Sequence, residues 1–210
     1  FEVVGNQLQL KAGQSVDFES ETSIDLTITA TDQGGTGLSY NEAFTLTVTD
    51  VNDNAPVITT SASQSVAENS TLVAALSSTD VDTVGTHPAT FTITGGADQA
   101  LFSIDGSGNL VMTAKDYEGA IDSGSDNSYE VEVTANDGVY DTAQTITVSV
   151  TDVNEAPTDI TLVGSSVAEN DAGAVIGTLG VVDQDAGEPK WLMPTSEIPT
   201  GLHASFWVWC

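Results

Sequence analysis

A set of short acidic motifs occurs twice along this chain, in the same order. Asp50-Val51-Asn52-Asp53-Asn54-Ala55-Pro56 returns about a hundred residues later as Asp152-Val153-Asn154-Glu155-Ala156-Pro157. Ser65-Val66-Ala67-Glu68-Asn69 returns as Ser166-Val167-Ala168-Glu169-Asn170, and Asp17-Phe18-Glu19 as Asp116-Tyr117-Glu118. Ala30-Thr31-Asp32 pairs with Ala135-Asn136-Asp137, and Asp80-Val81-Asp82 with Asp183-Gln184-Asp185. Five ordered recurrences are not a coincidence of composition. They divide the chain into tandem modules of one architecture, each with its own core.

Between the motifs the apolar residues alternate with polar ones. Ile24-Asp25-Leu26-Thr27-Ile28, Tyr129-Glu130-Val131-Glu132-Val133 and Ile146-Thr147-Val148-Ser149-Val150 all have period two and are rich in β-branched residues. This pattern predicts half-buried antiparallel strands, punctuated by Gly, Asn and Asp clusters. No helix pattern is present. The unit has the size of a seven-stranded sandwich, so the expected fold is all-β, a tandem array of Greek-key β-sandwich repeats. One complete unit is expected over 55–152. Its strands should lie near Pro56–Thr60, Leu72–Leu76, Thr90–Thr94, Leu101–Ile104, Leu110–Thr113, Tyr129–Ala135 and Thr145–Thr151. Residues 1–50 read as the second half of a preceding unit, and 156–188 as the start of a following one.

Charge narrows the partners. The 31 acidic residues face only three lysines and no arginine, a formal net charge of −28. Such a surface repels nucleic acid and anionic lipid headgroups and favours multivalent cations. The single cysteine, Cys210, rules out a disulfide framework, and no apolar run has the length of a membrane span, so direct membrane insertion is not expected. The 40% hydrophobic content in regular alternation argues against an acidic disordered chain.

The acidic residues hold fixed places in every unit. Asp116 with Glu118, and Asp80 with Asp82, stand two residues apart, a spacing that on extended backbone points both side chains to one side about 7 Å apart. One such pair is an ordinary turn feature, but recurrence at each junction is not. Loops of a sandwich gather at its two ends, so the end of one unit and the start of the next converge on the linker. Like charges about 4 Å apart repel by roughly 4 kcal/mol at an effective dielectric of 20, so such a junction demands counter-charge. Calcium suits it, taking 6–8 oxygen ligands in flexible geometry, whereas magnesium needs a tighter octahedron and zinc prefers His and Cys, absent from the motifs. An EF-hand is set aside, because the loop from Asp80 has Phe91 rather than glutamate at its twelfth position.

With an early glutamate, a mid-unit Asp-x-Glu, an Ala-x-Asp, an Asp-x-Asp and the Asp50–Pro56 linker, the repeat resembles a cadherin domain over about residues 1–188. The Asp-Tyr-Glu variant is more similar to cadherin-like repeats of large bacterial surface proteins. The resemblance implies calcium ligands at two junctions. At the first they would be Asp17, Glu19, Asp50, Asn52, Asp53 and Asn54, with Asp80, Asp82 and Asp137. At the second they would be Glu68, Asp116, Glu118, Asp152, Asn154 and Glu155, with Asp183 and Asp185. In the second linker Glu155 would stand for the aspartate and Ala156 for the second asparagine. The resemblance further implies a rod stiffened by calcium at a cell surface or outside the cell. Homophilic adhesion follows from it, with another copy of the chain, a cell-surface protein or a glycan as partner. No catalytic residue is expected.

Two alternatives stay open: a passive spacer in a large exported protein, and the accessory region of a carbohydrate-active enzyme using paired carboxylates. A catalytic site is a single unrepeated pocket, and aromatic content is only 6%, which weighs against the enzyme. Residues 189–210 depart from the pattern. They hold all three tryptophans and the only cysteine, and read as a frameshifted or artefactual tail rather than a docking segment.

Overall fold

In the computed structural model residues 1–32, 37–185 and Leu192 are described. The expected tail, 189–210, falls outside them apart from Leu192. The chain begins with two hairpins, β1 (Glu2–Val4) with β2 (Gln7–Gln9) and β3 (Ser23–Thr31) with β4 (Ser39–Thr47). The central region carries β5 (Val57–Ile58), β6 (Ser63–Ala67), β7 (Leu72–Ala75), β8 (Ser78–Thr79) and β9 (Thr90–Gly95). It continues through β10 (Phe102–Ile104), β11 (Asn109–Met112), β12 (Ser128–Asn136) and β13 (Asp141–Thr151). A last hairpin pairs β14 (Asp159–Val163) with β15 (Thr178–Val182).

The central region is a sandwich. One sheet has the order β6-β13-β12-β9 and faces a second, β10-β11-β7, while β5 pairs with β8 at one end. Crossing between the sheets makes the arrangement all-β and Greek-key, as the alternation predicts. The period-two pattern works most plainly on β12, where Tyr129, Val131, Val133 and Ala135 are fully buried. The register sets Tyr129 opposite Val148 and Val131 opposite Ile146, so both strands present one apolar face. Phe102, Leu110, Met112 and Val73 close over it from the other sheet. Burying side chains of this size contributes about 1.5–3 kcal/mol each, enough for this core to be the stable centre of the chain.

Two expectations are corrected. The strand expected over Pro56–Thr60 shrinks to Val57–Ile58, and the edge of the larger sheet is filled by β6, a segment the sequence pattern misses. Moreover β6 pairs parallel to β13, not antiparallel, with Val66 beside Val150 and Ala67 beside Thr151. This pairing decides where the functional residues lie. It carries Glu68 to the point where the chain leaves β13, fixed there by the Glu68 N–H on the Thr151 carbonyl at 3.0 Å.

The terminal hairpins share the alternation without the burial. On β3 the residues Ile24, Leu26 and Ile28 are only half-buried, Phe44 on β4 is exposed, and all five residues of β14 are exposed. Among the described residues no second sheet covers these faces.

Candidate calcium junctions

The acidic motifs occupy the loops at the two ends of the sandwich. Asp80 and Asp82 follow β8, and Asp137 follows β12; these sit beside the first linker, Asp50–Pro56. Glu68, Asp116 and Glu118 sit at the opposite end, beside Asp152–Pro157. Among the described residues ligand oxygens converge to within 4.8 Å of one another in four places. At the first junction these are Glu19, Asp53 and Asp82, and Asp80, Asp82 and Asp137. At the second they are Glu68, Glu118 and Asp152, and Glu118, Glu155 and Asp185.

The paired carboxylates are not arranged as strands would arrange them. All four pairs lie in turns, where the first aspartate accepts the backbone N–H of the second acid. Asp17 does so from Glu19 at 3.0 Å, Asp80 from Asp82 at 3.2 Å, Asp116 from Glu118 at 3.2 Å and Asp183 from Asp185 at 3.3 Å. This is the aspartate turn, in which the side chain imitates a backbone acceptor. The expected same-face spacing is therefore replaced by a turn that holds one carboxylate and presents the other.

Local hydrogen bonds orient the cluster members. Asp137, with no exposed surface, accepts the N–H groups of Val139 and Tyr140 on Oδ1, both at 2.7 Å. Glu68 is 4% exposed and accepts Val153 N–H on Oε1 at 2.8 Å and Tyr117 N–H on Oε2 at 3.0 Å. One side chain thus ties the second linker to the mid-repeat loop. Asp50 accepts both the N–H and the hydroxyl of Thr83. Asn54 donates its N–H and its amide to Asp82, at 2.9 and 3.0 Å.

The electrostatics record crowding. Desolvation, then the charges of Asp185 and Glu68, raise the Asp152 carboxyl above its ordinary range. Desolvation also raises Glu155 and Glu118, with Glu68 acting on both. Glu19 is held down by its own backbone N–H, but desolvation and the neighbouring Asp17, Asp50 and Asp53 outweigh this and raise it. Asp137 moves the other way, lowered first by the Tyr140 N–H, and Asp50 is lowered first by the Thr83 hydroxyl.

Among the described residues four carboxylate oxygens are buried and accept no hydrogen bond: Asp50 Oδ1, Asp80 Oδ2, Glu155 Oε2 and Asp185 Oδ1. Buried acceptors without donors are uncommon, and four at two acidic junctions fit a cation rather than missing hydrogen bonds. The Asn52 amide oxygen points at Asp137 Oδ2 and Asp82 Oδ2, 3.1 and 3.2 Å away. Acceptor facing acceptor is a mismatch unless a cation lies between them; turning the amide over would satisfy it with two hydrogen bonds instead. The donor set is oxygen throughout, without His or Cys, as hard cations require.

Of the expected ligands, Glu19, Asp53, Asp80, Asp82 and Asp137 meet at the first junction, and Glu68, Glu118, Asp152, Glu155 and Asp185 at the second. Asp17, Asp116 and Asp183 hold the turns, Asp50 and Asn52 flank the first clusters, and Asn54 braces Asp82. Asn154 is exposed and donates to the Glu155 carbonyl at 3.4 Å. Thr83 and Gly85 escape the sequence reading. Gly85 has φ +101°, and a Cβ there would stand 2.5 Å from Asn52 Nδ2, so only glycine admits the Asn52 side chain. Its signal was a glycine three residues after an Asp-x-Asp motif.

The alignment of the second linker is corrected too. Glu155 N–H donates to Asp185 Oδ2 at 2.8 Å, just as Asn54 N–H donates to Asp82 Oδ2. Glu155 therefore stands in the place of Asn54, not Asp53, and the second linker is one residue shorter.

No family model matches the chain. Human Protocadherin-16 is 33% identical over 183 residues, covering 83% of this chain and 5% of its own length. A solved structure of Protocadherin Gamma B7 extracellular cadherin domains 1–4 superposes with a TM-score of 0.59 at 25% identity, over 92% of this chain and 49% of that one. A protocadherin gammaB7 cis-dimer structure of domains 3–6 gives 0.59 and 25%, over 86% and 49%. Over more than four fifths of its length the chain is similar to the extracellular cadherin repeats of protocadherins. It spans a small part of the relative's length, and the bacterial leaning of the Asp-Tyr-Glu variant has no counterpart in these three.

Proposed function

We propose that the chain is an extracellular calcium-binding rod segment whose junctions are stiffened by calcium and which serves calcium-dependent, homophilic cell adhesion. The observation that carries the calcium reading is the set of buried carboxylate oxygens without donors at both junctions. At the first junction Glu19, Asp50, Asn52, Asp53, Asp80, Asp82 and Asp137 would hold the ions, with Asp17 and Asn54 as orienting neighbours. At the second Glu68, Glu118, Asp152, Glu155 and Asp185 would do so, with Asp116, Asn154 and Asp183 around them. Bound calcium supplies positive charge among carboxylates that otherwise repel. The chain's own contribution is to fix their directions through the aspartate turns and the Glu68 tether. A rod needs this, because the crowded linker carboxylates repel one another and favour splaying.

The adhesive part of the reading rests on kinship: the relative is a protocadherin, and a protocadherin of similar fold assembles as a cis-dimer. The partner is then a second copy of the protein, at the cell surface. The test is to titrate the whole chain with calcium while following thermal unfolding and, by small-angle scattering, the spread of inter-repeat angles. Calcium should raise the melting temperature and narrow the spread, and chelation should reverse both. Indifference of both to calcium would refute the metal reading.

A further inference from the structure

The two linkers differ in length by one residue, yet each delivers a carboxylate to the equivalent cluster. In the first, that carboxylate belongs to Asp53, the residue before Asn54, whose N–H docks on Asp82. In the second, the docked residue is Glu155, and its own side chain joins Glu118 and Asp185. Glu19 and Glu118 are equivalent in the repeat, as are Asp82 and Asp185. The clusters Glu19–Asp53–Asp82 and Glu118–Glu155–Asp185 are therefore one site built in two ways.

Resting on the calcium reading, we propose that Glu155 compensates for the missing linker residue by arm length: the glutamate side chain, and not an aspartate, closes the cation site of the shorter linker. With the position of Asp53 missing, the carboxylate must come from the docked residue itself, and the additional methylene of glutamate carries it about 1.5 Å further toward the cluster. Asn54, in the same backbone position of the longer linker, spends its shorter amide arm on Asp82 Oδ1 at 3.0 Å and Asp53 Oδ1 at 2.8 Å. An aspartate at 155 would lack the methylene that carries the Glu155 carboxylate to both Asp185 and Glu118. The site itself is marked independently of its acidity. Asp185 is 3% exposed with Oδ1 unpartnered, and Glu155 Oε2 is also buried without a donor. On its other oxygen Glu155 accepts the Asn69 amide at 3.5 Å, a long contact that leaves the arm directed at the cluster.

The test is calorimetric titration of calcium into the whole chain in a background of Asp80→Asn with Asp137→Asn, which weakens the first junction so that the signal reports the second. Glu155→Asp should lower affinity about tenfold or more, and Glu155→Asp with one asparagine inserted after position 155 should recover it to within about threefold. Thermal unfolding in chelator accompanies each variant, and all three chains should melt alike there. Undiminished affinity of Glu155→Asp would overturn the inference while leaving the calcium reading intact. So would an insertion that fails to rescue although the chain melts normally in chelator. A parent chain that binds no calcium would overturn both.

Discussion

Glu68 separates what hydrogen bonds contribute at the second junction from what calcium contributes. Its carboxylate accepts two backbone N–H groups from segments that otherwise have no reason to meet, the loop at Tyr117 and the linker at Val153. Hydrogen bonds to a charged acceptor contribute about 1.5–3 kcal/mol each. Tyr117 and Val153 are 37% and 45% exposed, so their freed N–H groups would be rehydrated and the lower figure applies. Truncation to alanine also relieves repulsion from Glu118 and Asp152, which lie in the same cluster. Glu68→Ala should therefore cost about 2 kcal/mol in chelator, which for a unit of this size lowers the melting temperature on the order of 10 °C. Glu68→Gln keeps the shape and one acceptor and should cost roughly half as much. Calcium adds a different quantity. At a hundredfold excess over Kd it stabilises by about 2.7 kcal/mol per site, and a tenfold loss of affinity reduces this to about 1.4. Thermal and urea unfolding of wild type and both variants, with calcium and with chelator, gives the two contributions separately. If Glu68→Gln gains as much from calcium as wild type, Glu68 is not a ligand. If Glu68→Ala is as stable as Glu68→Gln in chelator, the tether contributes nothing.

Acidification should act in opposite directions with and without the ion. Asp152, Glu155 and Glu118 are raised in the fold, first by desolvation, so the native state takes up protons before the unfolded chain does. In chelator, these three groups should add stability as pH falls from neutral toward the ordinary 3.8 and 4.5, until Asp50 and Asp137, lowered in the fold, oppose the gain as pH falls below about 3.8. Saturating calcium should reverse the slope, because protons then compete with the ion; melts with the same slope in both media would contradict this. Gly85→Ala should strain a left-handed residue by about 1–2 kcal/mol and push Asn52 off Asp82 and Asp137. Calcium titration should show the first junction weakened and the second unchanged, and equal loss at both would refute the assigned place of Asn52.

The fold was legible where burial follows directly from alternation. β12 and β13 are period-two runs whose apolar members are the core, and both were readable to within a few residues. β6 was not, because Ser63-Gln64-Ser65 carries no β-branched or aromatic residue before Val66. What makes it a strand is the free edge of β13, which no local pattern reveals. The same alternation in β3 overstated burial, since a pattern names the inward face but not whether anything covers it. At the junctions the residue types and their grouping were readable from recurrence. Their local geometry was not: an i, i+2 pair of acids suits a strand and an aspartate turn equally, and the turn wins through the backbone N–H it satisfies.

The shorter linker shows why grouping alone misleads. Counted forward from Asp152, Glu155 matches Asp53; counted back from Pro157, it matches Asn54. Both alignments are consistent with the sequence, and they predict different chemistry. In the first, glutamate is a conservative exchange with an arm that is too long. In the second, it is a carboxylate where the longer linker has an amide, and the extra length is what the site requires. The Glu155 N–H on Asp185 decides for the second, because a backbone hydrogen bond fixes the residue's place whatever its side chain does. On the proposed calcium reading an aspartate at 155, the apparent return to the common motif, should withdraw a ligand, whereas the longer linker places its aspartate one position earlier. Linker length and acid type are then coupled, and neither can be changed alone without weakening the junction it serves.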